Sequence, residues 1–246
     1  MFATDEKKRF RDSRRRKSAW AEAWSHRPFQ HQCLLAILFL GITLGIFANF
    51  VQFVEHRPGA LLPDPIQEHF SPRNFTWPIF VLIYGSLAAA IYHLSRYPTR
   101  LVLAVQTYGL MVLMRLIAMY LTPLEPPPSM ILLKDPFVEL FTTSTPLTRD
   151  LFFSGHTSTM FLLFLVTPHA RWRSFFLLST ILIGIMVIWQ HVHYAIDVFA
   201  APFFAYGSYR MAWLLWGKKL SAIHRAVVTG VPIAEQLVTT PTKSDL

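Results

Sequence analysis

From Cys33 to Val54 the chain carries no charged side chain and is almost continuously apolar. A helix of that length crosses a hydrocarbon core of roughly 30 Å, for which about 20 residues suffice. A helix apolar on every side has no face to offer water and belongs in a core or a membrane. Similar runs recur, placing predicted spans at 33–54, 77–94, 101–121, 157–168, 174–192 and 195–217. Composition agrees, since 53% of the 246 residues are hydrophobic and only 15% charged, against about a quarter charged in soluble domains. The expected fold class is all-α, an integral membrane bundle of six transmembrane helices. The fourth span is short unless Phe152 and Phe153 extend it. The cluster His191 to Asp197 either separates the last two spans or continues one helix.

The formal net charge of +9 is distributed unevenly. Seventeen of the 23 lysines and arginines fall in segments 1–32, 95–100, 169–173 and 218–246, against four in 55–76, 122–156 and 191–197. Basic loops stay cytoplasmic, so both termini are expected inside. A basic balance suits nucleic acid only where a polar surface presents it, and no such partner is expected here. The chain divides into a basic cytoplasmic segment 1–32, a membrane catalytic domain 33–217 and a cytoplasmic tail 218–246. Segment 1–27 is too charged for a cleavable signal peptide. It is expected to meet an anionic membrane surface, at about 1 kcal/mol per basic residue near the headgroups. The single cysteine, Cys33, excludes an internal disulfide and disfavours a cysteine zinc site. Four prolines between Pro123 and Pro128 must end the third helix and open a long outer loop that reaches Ser154.

Against this apolar background a few polar residues share one side. His156, His193 and Asp197 are expected at the outer ends of spans four, five and six, and ionisable groups at membrane depth mark functional sites. His193 and Asp197 are four residues apart and would share one face of a continuing helix. A carboxylate on one imidazole nitrogen fixes the tautomer and leaves the other nitrogen free to react. His156 follows Ser154 and Gly155 at a helix start, where backbone N–H groups attract anions and glycine permits close approach. The combination suits phosphoryl transfer, one histidine attacking phosphorus and the other protonating the leaving oxygen. His56, His93, His169 and His191 are assigned structural places. Side chains supply every catalytic group, so no cofactor and no metal is expected. A His191–His193 metal pair has too few ligands.

Two words carry a family likeness: Asp150-Leu151-Phe152-Phe153-Ser154-Gly155-His156-Thr157, then His193-Tyr194-Ala195-Ile196-Asp197-Val198. They resemble the sphingomyelin synthase branch of the type 2 phosphatidic acid phosphatase superfamily. Leu62-Pro63-Asp64 resembles that branch's proline–aspartate motif, and Arg115-Leu116-Ile117-Ala118-Met119-Tyr120 its arginine–tyrosine motif. The resemblance implies a six-span enzyme whose site faces the lumen or exterior. His193, assisted by Asp197, would take a phosphorylated headgroup from a phospholipid donor, and His156 would serve as acid and then base for a lipid acceptor. Ser154, Asp150, Arg115 and Asp64 would help to bind substrate. Position 187, where the phosphatase branch would place a second arginine, is Val. A phosphomonoester carries nearly two charges and rewards arginine forks, whereas a diester carries one, so this difference favours a headgroup transferase. The alternatives are a lipid phosphatase or phospholipase C-like hydrolase, and a non-catalytic transporter or scaffold. The outer loop lacks the cysteines of animal relatives, which leaves the acceptor open.

Overall fold

The apolar runs do become helices, and their ends are set by local chemistry. The computed structural model describes residues 19–133 and 148–229. Most of the basic segment, part of the outer loop and the end of the tail (1–18, 134–147 and 230–246) lie outside the described residues. A short helix α1, Ala19–Trp24, precedes α2, Arg27–His56, which begins at a proline-bearing first turn. Proline suits that position because its missing N–H would be unpaired there anyway. Helix α3 is Thr76–Leu94 and α4 is Pro98–Leu121, again started by proline. Pro123 follows directly, and the third long helix stops as the proline run requires.

The C-terminal half departs from the expected spans. Helix α5 is Gly155–Val166, only 12 residues, or about 18 Å at helical rise. Phe152 and Phe153 do not extend it, because both adopt left-handed backbone (φ 65 and 41), which halts a right-handed helix. Helix α6 is Ala170–Trp189 and α7 is Ala195–Ala212. His191, with φ 56, breaks the chain between them, so the polar cluster separates two helices. Helix α7 runs through a wide π turn, Trp213–Gly217, into α8, Lys218–Thr229. The start of the expected tail is therefore helical. Among the described residues four helices, α2, α3, α4 and α6, are long and apolar enough to cross a membrane. Helices α5 and α7 complete the bundle but do not meet that measure.

Helix α4 is the axis of the bundle. Two thirds of its apolar window is buried (67%), against 17% for α2, which rests on α4 and presents most of its surface outward. Three apolar clusters hold the helices. Ala23, Phe29, Leu103, Leu110, Leu220 and Ile223 join α1, α2, α4 and α8 at one end. Met111, Phe153, Leu162, Ala201 and Ala205 join α4, α5 and α7. Ile79, Ile83, Met160, Phe176 and Val187 join α3, α5 and α6. Val187, the position of interest for a missing arginine, is fully buried in this last cluster.

Over the other end of the bundle lies a cover made from 57–75 and 122–133. Its halves are stitched at Ala60, whose N–H donates to Pro123 O at 2.9 Å and whose carbonyl accepts from Glu125 N at 3.0 Å. Gly59 permits this approach, since a Cβ there would meet the Leu124 carbonyl carbon at 2.5 Å. Gln190 ties the cover to α6, accepting from Phe75 N at 2.8 Å and donating to Thr76 Oγ1 and Ile131 O.

Candidate active site

Beneath that cover two helices begin side by side. Ser154 is the cap of α5, its hydroxyl accepting from Thr157 N. Its own N–H donates to Asp197 O at 2.9 Å, joining the start of α5 to the first turn of α7. Two helix N-termini thus converge, and each concentrates about half a positive charge there. That field favours a phosphate before any side chain is counted.

His156, in the first turn of α5, faces His193 with ring centroids 6.2 Å apart and planes inclined by 63°. His193 lies just before α7 rather than on it. Its Nδ1 lies 3.3 Å from Asp197 Oδ2, and the same oxygen accepts from Tyr194 N at 3.3 Å. The four-residue spacing therefore works through a cap: Asp197 occupies the third position of α7 and reaches back over its start. His193 and Asp197 are 3% and 0% exposed, while His156 is half-buried. Nδ1 engaged by Asp197 leaves Nε2 as the reactive nitrogen of His193.

The other four predicted residues surround this centre. Arg115, buried in α4, has its guanidinium fully committed. Nε donates to Asp150 Oδ1 at 3.0 Å, Nη2 lies 2.8 Å from the same oxygen, and Nη1 donates to Phe153 O at 2.5 Å. The guanidinium also lies over the Phe153 ring. Arg115 therefore clamps the left-handed Phe152–Phe153 turn leading into Ser154. Gly155 is required beside it, because a Cβ would stand 2.8 Å from Arg115 Nη1. Asp64 works at the neighbouring helix: Oδ2 accepts from Ala195 N at 2.6 Å, and Oδ1 accepts from Ile66 N and Gln67 N. Both of its oxygens are used to dock the first outer loop on the start of α7. Asp150 pairs with Arg115, and Asp64 does not.

Several further groups at the site, to which the sequence reading gave no role, hold its frame. Gln67 donates to His193 O at 2.8 Å. Tyr194 Oη donates to Glu125 O at 2.9 Å and accepts from Leu62 N. Burial raises the Tyr194 phenol above its ordinary pKa, so it remains a neutral donor. Glu125 in the proline run pairs with Arg149 at 2.8 Å, and Arg149 also donates to Glu55 O and Arg57 O. His191 turns away from the pair, bonding Ser129 Oγ through Nδ1 and setting its ring edge-on to Phe70. Burial lowers its pKa, keeping it neutral. Tyr194 stood within the word around His193, while Gln67, Glu125 and Arg149 carried no signal beyond their polarity in the outer segments. No group of three or more potential metal ligands occurs among the described residues.

No curated protein matches the chain. Residues 149–214 match the family model of the PAP2 superfamily C-terminal domain, a stretch that contains Asp150, Ser154, His156, His193 and Asp197 but neither Arg115 nor Asp64. That match, over the helices that carry the facing histidines, supports membership of the PAP2 superfamily, whose members are typically phosphatases or phosphotransferases acting on lipids.

Proposed function

We propose that this protein is a lipid phosphotransferase of the sphingomyelin synthase type, moving phosphocholine or phosphoethanolamine from a glycerophospholipid to ceramide or a diacylglycerol-type acceptor. The observation that carries this reading is the facing pair, His156 and His193 at 6.2 Å, with Asp197 on the far nitrogen of His193. A phosphorus atom approached at about 3 Å from one ring, with its leaving oxygen about 3 Å from the other, fills such a gap. His193 Nε2 attacks phosphorus. The P–O bond to diacylglycerol breaks, and its electron pair stays on oxygen, which takes a proton from His156. Asp197 stabilises the positive charge on His193. The acceptor hydroxyl then loses its proton to His156 as its oxygen attacks phosphorus, the P–N bond breaks, and both histidines return to their starting state.

The preference for a diester headgroup rests on charge. Arg115 and Arg149 are engaged with carboxylates and carbonyls, and position 187, where the phosphatase branch would place a further arginine, is an apolar Val. The two helix starts suit the single charge of a diester. In the membrane the reading takes six spans with both termini cytoplasmic and the histidines on the extracytoplasmic side, with α5 and α7 as the two weakest spans.

Purified protein given headgroup-labelled phosphatidylcholine with ceramide or diacylglycerol tests this directly. Label in the lipid acceptor, and none with His193→Ala, is the expected result. Label found only as free phosphocholine would make the enzyme a hydrolase. Activity surviving His193→Ala would remove the histidine mechanism. For orientation, a cysteine placed at position 150 after Cys33 is removed should react with an impermeant reagent added outside.

A further inference from the structure

The cover over the histidines has an apolar edge that the chemistry of headgroup transfer does not require. Its run Leu61-Leu62-Pro63-Asp64-Pro65-Ile66 holds one charged side chain, and that aspartate is turned onto Ala195 N, Ile66 N and Gln67 N. What the run shows outside is apolar. Leu61 and Ile66 are 58% and 43% exposed, and Pro63 and Pro65 are exposed between them. Two residues further on the character changes, with Glu68, His69, Ser71, Arg73 and Asn74 exposed in their turn. The cover therefore pairs an apolar edge with a polar remainder, the two-sidedness of an element that lies in a membrane interface. Hydrogen bonds fix the height of that edge. Ala60, beside Leu61, is stitched to Pro123 and Glu125 just past the end of α4. Asp64 holds the first residue of α7, and Gln67 donates to Ile188 O in the last turn of α6. The edge thus lies level with three helix ends rather than above them. The helix turns it adjoins also expose apolar side chains, Tyr120 and Leu121 at the end of α4, Ile196 and Phe199 at the start of α7.

We propose that Leu61, Pro63, Pro65 and Ile66 are embedded in the leaflet on the histidine side, where they contact the acyl chains and glycerol region of a lipid beside the site. The inference rests on the six-span arrangement and the lipid substrate proposed above, in which α4 and α7 are spans and their exposed turns face lipid. The edge continues that surface from one helix to the other. Exposed apolar groups gathered in one place mark a contact with protein or membrane. Four side chains are far fewer than the roughly 20–30 residues a side of a stable protein interface, whereas a lipid surface takes apolar anchors one by one, each adding its buried area. With the edge submerged, the Asp64 carboxylate stays withdrawn on the backbone of α7, and a lipid chain meets apolar surface up to the helix start beside His193.

The test uses the full chain in phosphatidylcholine nanodiscs, with Cys33→Ser and a fluorophore on one new cysteine, Leu61→Cys, Ile66→Cys or Ser71→Cys. Lipid carrying a spin label high on its acyl chain should quench the probes at positions 61 and 66 several-fold more than the probe at 71, and aqueous iodide should quench in the reverse order. Iodide reaching all three alike would overturn the proposal by placing the edge in water. Protection of 61 and 66 from both quenchers would overturn it too, because protein would then cover the edge. Quenching needs no turnover, so this arm can fail while headgroup transfer stands, and can succeed where transfer is absent. In the wild-type background, Leu61→Glu with Ile66→Glu should raise the bilayer lipid concentration for half-maximal transfer roughly tenfold with the maximal rate unchanged. An unaltered lipid requirement would count against the proposal as well. Should that double variant fold poorly, the quenching decides alone.

Discussion

Arg115 and Arg100 stand on one helix, about four turns apart, and are treated in opposite ways. Arg115 is buried and satisfied, held by Asp150 and by Phe153 O. Arg100 is half-buried, with one long bond to the Val166 carbonyl and no carboxylate paired with it among the described residues. A buried charge is tolerated where partners are built in and otherwise stays near the surface. The difference separates an arginine that shapes the candidate site from one that lies away from it. It also limits the word match at Arg115, since a residue in a binding motif can act wholly through the backbone it holds.

The largest expected effect comes from the histidines that the clamped turn presents. His193→Ala should abolish headgroup transfer. His156→Ala should slow it by about 10²–10⁴-fold, with both proteins keeping their thermal stability. Next comes the clamp. Arg115→Met should destabilise the fold by up to about 3 kcal/mol, less than a fully buried pair because Asp150 retains some solvent. Arg115→Lys should recover part of the stability but little activity, because a lysine cannot fork between Asp150 and Phe153 O. If Arg115→Lys lowered only affinity for the donor and left the maximal rate intact, Arg115 would be a phosphate ligand and the contrast with Arg100 would collapse.

Smaller changes sharpen the picture. Asp64→Ala should cost about 1–2 kcal/mol as a lost helix cap, measured by thermal unfolding, and Asp64→Asn somewhat less, because its single amide oxygen can accept from Ala195 or from Ile66 and Gln67 but not from both sides. Loss of transfer in Asp64→Asn with stability intact would instead give its charge a role in binding. The smallest effect concerns His191, whose pKa is lowered by burial. Its neutral burial contributes stability above its unfolded pKa of about 6.5, and that contribution is lost as pH falls through the lower, folded value. His191→Gln should therefore lose part of the acid sensitivity of unfolding below about pH 6.5.

Much of this was legible in the chain before any coordinates. The long uncharged runs became α2, α3, α4 and α6, because a hydrocarbon core imposes length and apolarity together. The words around His156 and His193 marked residues that meet in space, since one sits in the first turn of its helix and the other just before the start of its own. What stayed hidden was non-local or conformational. Nothing in two consecutive phenylalanines announces left-handed backbone, which Arg115, 38 residues earlier, holds in place. Asp64 caps a helix start 131 residues away, a partnership that no local spacing encodes. Helix α8 read as a tail because it is polar overall. Its apolar residues, Leu220 and Ile223 among them, fall on one face and pack inward.

The bond from Ser154 N–H to Asp197 O has a mechanical consequence. It couples the two helix starts that carry the proposed acid–base group and the proposed nucleophile, so they travel as one lever rather than as opposing jaws. The gap between the imidazoles is then a fixed dimension of the protein, and breathing that admits a lipid is shifted to the outer cover and to the loosely packed α2. Cross-linking the cover to α5 should therefore slow exchange of lipids with the bilayer while leaving the chemical step on a lipid already bound at its normal rate.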